Sequence, residues 1–181
     1  MKNAARMLVN KLPHLHGVIS QLAKRDVLVG VPMDQTARKD GEMNNATLAY
    51  IHDNGSAAAN IPARPFMEPG IHNAKPTITL FMKSAAQGAL NKGASAIDVG
   101  LNKAGMTAQS SIRAVINAGI APPVKTATLK ARVRNRTAVK GALAELARRD
   151  SGEAAGSDLA KPLIVTGQLR NSITYVVRNK A

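Results

Sequence analysis

The sequence predicts an α+β fold in which a small antiparallel sheet packs against two long helices and carries extended proline-rich and basic arms. Two short runs rich in β-branched residues, at 27–31 and 172–178, are the predicted strands. Helical periodicity fills much of the chain between them. Because a sheet of two strands is marginal by itself, we expect further strand pairing from residues 33–44 or from a neighbouring subunit.

Composition bounds the class of protein. The 181 residues predict a single domain, with a core at about 1–120 and 161–181 and a basic arm or insertion at about 121–160. Apolar residues make up 45% of the chain but aromatics only 2%, so the core must be aliphatic. The absence of cysteine excludes disulfides and thiolate sites and fits a reducing cytoplasm. No apolar run approaches the roughly 18 residues of a membrane span and no secretory leader is evident, so we expect a soluble protein without a membrane partner.

The first helices are predicted from spacing and capping signals. Residues 3–24 carry apolar side chains at intervals of three and four, which line one face of a helix. These are Leu8, Leu12, Leu15, Ile19 and Leu22. Further along, Asn44 or Asn45 is the expected N-cap of a short helix at 46–53, with Gly55 at its C-terminal end.

A proline-rich segment follows that helix. In residues 61–66 two prolines bracket an arginine and lead into a phenylalanine. Proline fixes φ and pushes its predecessor towards extended geometry, which predicts a rigid arm that contacts another subunit. An ordinary proline-rich connector is the alternative, and residues 56–60 are expected to be a flexible bridge into the segment. The predicted interface residues are Ile61, Pro62, Arg64, Pro65 and Phe66.

Almost 50 helical residues are predicted after Pro69-Gly70, with a break at Gly93. Alanine-rich stripes on both helices allow close helix packing within or between subunits. The first stripe is Ile78, Met82, Ala85 and Ala89, and the second is Ile97, Leu101, Ala104, Ala108, Ile112 and Val115.

The charge is strongly positive, with 25 Lys and Arg against 11 Asp and Glu. Such an excess attracts nucleic acid, anionic membrane or an acidic protein through salt-screened forces, and four scattered aromatics are a poor platform for stacking bases. The most basic segment is 125–140, in which 126–134 is a short helix or an extended arm. We expect an arm ordered on assembly; a self-repelling, solvated loop is the alternative. Its predicted contact residues are Lys125, Lys130, Arg132, Arg134, Arg136 and Lys140.

The chain carries no recognisable catalytic constellation. Nucleophilic catalysis needs a base beside the nucleophile, and no histidine lies in such a setting. His52 and His72 flank the proline segment, but their spacing matches no zinc signature. No phosphate-binding glycine loop occurs. We therefore predict no enzyme activity, no catalytic residue, no cofactor and no metal site.

Three segments in order resemble the tail-completion or head–tail connector (neck) proteins of long-tailed bacteriophages. The first runs from Ala49 to Gly55 and on through 61–67, and the second comprises 119–123 and 128–132. The third, 161–175, is the most specific. The resemblance spans roughly 46–178, and the segment at about 135–160 departs from it by being longer and more basic.

The resemblance implies a structural virion subunit, assembled in the host cytoplasm and located in the tail or neck. Subunits of this kind form a ring, usually sixfold, between the head–tail adaptor or portal and the tail terminator or tail tube. DNA would pass the channel without specific recognition. The alternative function is that of a small basic DNA-binding or DNA-packaging accessory protein. Such a protein would concentrate positive charge on one face of the monomer.

Overall fold

A computed structural model describes residues 13, 15–33, 43–92 and 95–180. The first helix, α1, covers residues 15–23. The later elements are β1 (Arg25–Gly30), α2 (Asn45–Asn54), α3 (Met67–Lys92), α4 (Ser95–Ala118), α5 (Thr126–Arg134), α6 (Val139–Asp150), α7 (Gln168–Ser172) and β2 (Thr174–Asn179).

The predicted α+β class is confirmed, with a two-stranded antiparallel sheet packed against α3 and α4. The Lys180 amide donates to the Lys24 carbonyl at 2.7 Å, and Arg178 forms an ion pair with Asp26 at 3.1 Å. These contacts fix the register between strands from opposite ends of the sequence. Residues 34–42, in the stretch expected to supply another strand, lie outside the described residues.

The short helix and its caps agree with the prediction. The Asn44 side chain accepts a hydrogen bond from the Thr47 amide at 2.7 Å, which satisfies a backbone donor at the start of α2. Gly55 follows the helix with φ of +79°. A Cβ there would lie 2.7 Å from the Ala63 nitrogen, so this position needs glycine for space as well as for backbone conformation.

α3 ends at Lys92 and α4 begins at Ser95; Gly93, the predicted break between the two long helices, lies outside the described residues. α3 starts at Met67, before the expected Pro69-Gly70 boundary. Proline is tolerated there because the first turn of a helix has no intrahelical acceptor for its missing N–H.

The chain divides into two compact units. Unit 1 takes residues from 1–29, 74–108 and 175–181, and unit 2 takes 30–73 and 109–174. In the ranges that the structure describes, no helix combines the length and hydropathy needed to cross a membrane.

The core of unit 1 is the predicted alanine-rich packing of α3 on α4, together with one face of α1. Its buried centre is Val18, Ala89, Ile97 and Leu101. The helix pair approaches closely at Gly100, where a Cβ would lie 2.1 Å from that of Ala85. On α1, Leu22 packs against this core as predicted, but Val18 is buried whereas Leu15 and Ile19 are exposed. The predicted positions Leu8 and Leu12 lie outside the described residues.

Unit 2 has its own aliphatic cluster between α5 and α6, centred on Val124, Leu129, Ala142 and Ala160. The segment 121–160, expected to be an arm outside the core, is thus a folded helical hairpin with a buried interior. Its periodic Leu and Ala positions bury enough apolar surface to outweigh the repulsion among its positive charges.

Candidate functional site

A cleft of about 520 Å³ lies in unit 2. Its lining comes from the turn at 56–62, the segment 122–128 and Pro162, with Arg64 and Arg132 as its buried cations. We call this feature the proline cleft. All three segments that carry the resemblance contribute to it.

The turn at 56–62 is closed by its own backbone. The Ser56 amide donates to the Ile61 carbonyl at 2.8 Å, and the Ile61 amide donates back at 2.9 Å. Asn60 has a positive φ of 51°, which asparagine tolerates better than most residues. The stretch expected to be a flexible bridge is therefore a hydrogen-bonded turn.

Asp53 joins the end of α2 to the start of α3. Its Oδ1 accepts from the Phe66 amide at 2.7 Å and from the Met67 amide at 3.1 Å. Both are unpaired donors at a helix N-terminus, where a carboxylate is also favoured by the helix dipole. No local sequence pattern signals this role, because Asp53 lies 13 residues before the Phe66 amide that it caps.

Arg64 crosses to the second segment. Its Nε and Nη2 donate to the Pro122 carbonyl at 2.9 and 2.8 Å, and its residue is only 7% exposed. The Arg64 amide also donates to the His52 carbonyl at 2.8 Å, which holds the backbone against α2. Burial lowers the pKa of Arg64.

Arg132 makes the equivalent link from the second segment to the third. Its Nη1 donates to the Lys161 carbonyl at 3.2 Å and its Nη2 to the Pro162 carbonyl at 2.9 Å. The residue is 6% exposed, and its Nε has no hydrogen-bond partner. Burial, and secondarily the charge of Arg64, lower the pKa of Arg132. Both arginines line the proline cleft, so two positive charges share one concave surface.

The electrostatics of the proline cleft are one-sided. Lys125 and His52 also line it, and none of the described lining residues is Asp or Glu. Backbone carbonyls satisfy guanidinium donors without neutralising their charge. Ile61, Val124 and four prolines supply apolar walls. This arrangement suits an anionic group attached to an apolar body.

The predicted interface residues separate into two groups. Phe66 has no exposed surface and Arg64 is buried among proline carbonyls, so both belong to the interior of their own subunit. The expectation that they contact a neighbour is corrected on this ground: the prolines turn the segment back onto α2 and 122–123. Ile61 and Pro62 are half-buried and Pro65 is exposed; an interface role for these three stays a prediction.

The basic segment also separates. Arg132 is buried, which corrects its expected place on an external arm, because its donors are used by Lys161 and Pro162 carbonyls. The other predicted contact residues are exposed: Lys125, Lys130, Arg134, Arg136 and Lys140. What they contact on assembly stays a prediction.

A buried carboxylate holds this part of unit 2 together. Glu145 is 0% exposed; its Oε1 accepts from Arg149 Nε and the Gly156 amide, both at 2.9 Å, and its Oε2 accepts from Arg148. Burial raises the pKa of Glu145, but these hydrogen bonds and positive charges outweigh it, so the pKa is lowered. Residues 151–157, expected to be a flexible linker, are therefore tied to α6.

The third segment contains a turn at Gly167 followed by a short helix. Gly167 has φ of +79° and precedes α7, which packs against α2. Leu169 and Ile173 are buried. The Ile173 carbonyl accepts from Gln109 Nε2 at 3.1 Å and Arg113 Nη2 at 2.7 Å.

His52 and His72, which flank the proline segment in the sequence, lie in different environments. Within the described residues, no three metal-ligating side chains converge. His52 lines the proline cleft, whereas His72 is exposed on α3.

No protein-family model, curated protein or solved structure matches this chain.

Proposed function

We propose that this chain is a structural virion protein, a tail-completion or neck subunit that forms a ring joining a phage tail to the head connector. The proposed role uses surfaces rather than reactive groups. Its partners would be other copies of the chain, the portal-side adaptor, and the tail terminator or tail tube.

One observation carries the proposal. The three segments that resemble neck proteins are scattered over 49–175, yet Arg64 and Arg132 connect them by hydrogen bonds into one substructure of unit 2. Arg64 links the first segment to the second, and Arg132 links the second to the third. A chance similarity of short motifs would have no reason to coincide with such a connected unit. This supports reading the ordered trio as one family signature.

The surface supports assembly as well. Tyr50, at 70% exposed, Ile71 and Leu143 present large apolar side chains on different helices of unit 2. A ring would bury those of these side chains that lie in a contact between subunits. The exposed basic residues of 125–140 suit diffuse attraction to acidic neighbours or to DNA in a channel.

The test is made in the phage that encodes the chain. Deleting its gene should leave filled heads and complete tails that fail to join, and expression of the chain in trans should restore joined particles. Cryo-electron microscopy of the intact virion should then show symmetric copies at the head–tail junction. Absence of the chain from purified particles would overturn the proposal.

A further inference from the structure

The proline cleft holds more positive charge than the subunit itself neutralises. Arg64 and Arg132 are both more than nine-tenths buried, and both donate their hydrogen bonds to neutral backbone carbonyls. In the cluster on α6, by contrast, Glu145 accepts from the half-buried Arg148 and Arg149 and balances their charge. The cleft differs from that cluster in having no described carboxylate in its lining.

We propose that the proline cleft binds an acidic, partly apolar peptide segment of a partner protein, with a carboxylate seated near Arg64, Arg132 and Lys125. The partner's apolar side chains would pack on Ile61 and the prolines. This goes beyond the proposed virion role and does not depend on it, because the binding is a property of the isolated chain.

The buried guanidinium groups explain why an anion is expected. A buried charge without a counter-ion is costly, and the mutual repulsion of Arg64 and Arg132 adds to that cost. The Nε–H of Arg132 has no acceptor, and a buried unpaired donor is unfavourable in its own right. A carboxylate near this pair reduces the repulsion. Because carbonyls already hold both arginines in place, binding would lose little side-chain entropy.

The lining favours peptide over nucleic acid. No aromatic side chain is among the lining residues, so bases would find no stacking surface. Phosphate backbones are usually met by exposed lysine and arginine, whereas two of the cations here are buried in an apolar surround. The volume of about 520 Å³ fits a compact ligand or a short chain segment.

The test compares two lysines on the full-length protein. Lys125 lines the cleft and its side chain makes no cap hydrogen bond to α5, so Lys125→Gln should fold normally. Lys130 is exposed on the same helix but does not line the cleft, and Lys130→Gln removes the same charge. The probe is a fluorescein-labelled seven-residue peptide of alternating Glu and Leu, measured by anisotropy at moderate salt. A Gln/Leu peptide and a thymidine decamer are run beside it, with circular dichroism to confirm folding.

Lys125→Gln should lower the affinity for the Glu/Leu peptide by about fivefold, and Lys130→Gln by less than about twofold. The reason is that a charge close to the bound carboxylate contributes more to affinity than a distant charge. The Gln/Leu peptide should bind at least about tenfold more weakly than the Glu/Leu peptide. Equal losses in the two lysine variants would mean diffuse attraction and overturn the proposal. The proposal would also be overturned if the thymidine decamer bound more tightly than the Glu/Leu peptide and if Lys125→Gln weakened binding of the decamer but not of the peptide. Absence of the chain from virions would overturn the proposed function but leave this binding untouched.

Discussion

At the scale of single residues, side chains that look like surface groups in the sequence hold the interior together. Asp53 caps α3, and Arg64 and Arg132 bridge segments far apart in the chain. A charged residue is almost never fully buried unless its polar atoms find partners, and here backbone carbonyls and amides provide most of them. Charge in the sequence therefore overstates how much of this chain is free to meet a partner.

Replacing glycine by alanine should change the free energy of unfolding in opposite directions at Gly167 and at Gly17. Gly167 has φ of +79°, and a Cβ there would meet only ordinary contacts, the nearest at 3.7 Å. Gly167→Ala should therefore lower the free energy of unfolding by about 1–2 kcal/mol through backbone strain alone. Gly17 is helical with nothing within 4 Å of a Cβ, so Gly17→Ala should raise it by about 0.5–1 kcal/mol. Thermal unfolding should move Tm in opposite directions, and a shared direction would contradict the strain argument.

Prediction from the sequence succeeded where the signal is local. The Asn44 cap follows from a local capping signal. The burial of Ala89 in the first stripe, and of Ile97 and Leu101 in the second, follows from spacing within a few residues. Prediction failed for Arg132, because whether an arginine is buried depends on carbonyls about 30 residues away. The cleft itself was not predictable, since it exists only once 56–62 and 122–128 are brought together by the fold.

At the scale of elements, the α5–α6 hairpin shows how a basic segment is made to fold. Leu129 and Ala142 supply apolar burial. Glu145 then gathers Arg148 and Arg149, and Arg149 Nη2 continues to the Val124 carbonyl at 2.9 Å. One buried carboxylate thus connects α6, the residues before α5 and the loop at 156.

Replacing Glu145 by Gln should destabilise the protein by about 3 kcal/mol at pH 7, because the partly buried Arg149 loses its counter-ion and Arg148 keeps only the exposed Asp158. The pKa of Glu145 is lowered in the folded state, so its stabilisation is fully present above the unfolded pKa of about 4.3 and is lost as pH falls through the folded value. The measurement is urea unfolding of the unsubstituted protein and of Glu145→Gln at pH 7, 5 and 3.5. The difference between their free energies of unfolding should narrow only at the lowest pH. Glu153→Gln, at an exposed position, is the matched control and should stay within about 0.5 kcal/mol throughout. A gap independent of pH would refute the ionic role of Glu145.

At the scale of the whole molecule, the net charge of +14 is the property that a partner meets first. Long-range attraction of this kind raises association rates and falls with salt. Part of the positive charge is internal, at Arg64 and Arg132, so only the exposed basic residues can contact a partner directly during the encounter. Among these, the basic residues that follow one another on α5 and the turn after it are the candidates.

The triple variant Lys130→Gln, Arg134→Gln and Arg136→Gln should weaken head–tail joining and make joining less sensitive to salt, if the proposed virion role holds. All three residues are exposed, unlike Arg132. The control variant replaces Lys24, Lys75 and Lys83, which are also exposed, and removes an equal charge from unit 1. When joining is measured at about 50 and 200 mM salt, it should be weaker and less dependent on salt in the first variant than in the unsubstituted protein. Joining by the control variant should match that of the unsubstituted protein. Equal behaviour of the two would mean that total charge, rather than this surface, sets the encounter.

The pairing of β1 with β2 has a consequence for synthesis. Asp26 and Arg178, which face each other across the sheet, are separated by 152 residues. At a translation rate of about 5–20 residues per second, β1 is made roughly 8–30 seconds before its partner strand exists. During that interval its backbone donors and acceptors lack their native strand, the condition in which nascent chains recruit chaperones or pair with each other. The sheet can therefore form only after the elements from α2 to α7 have been synthesised.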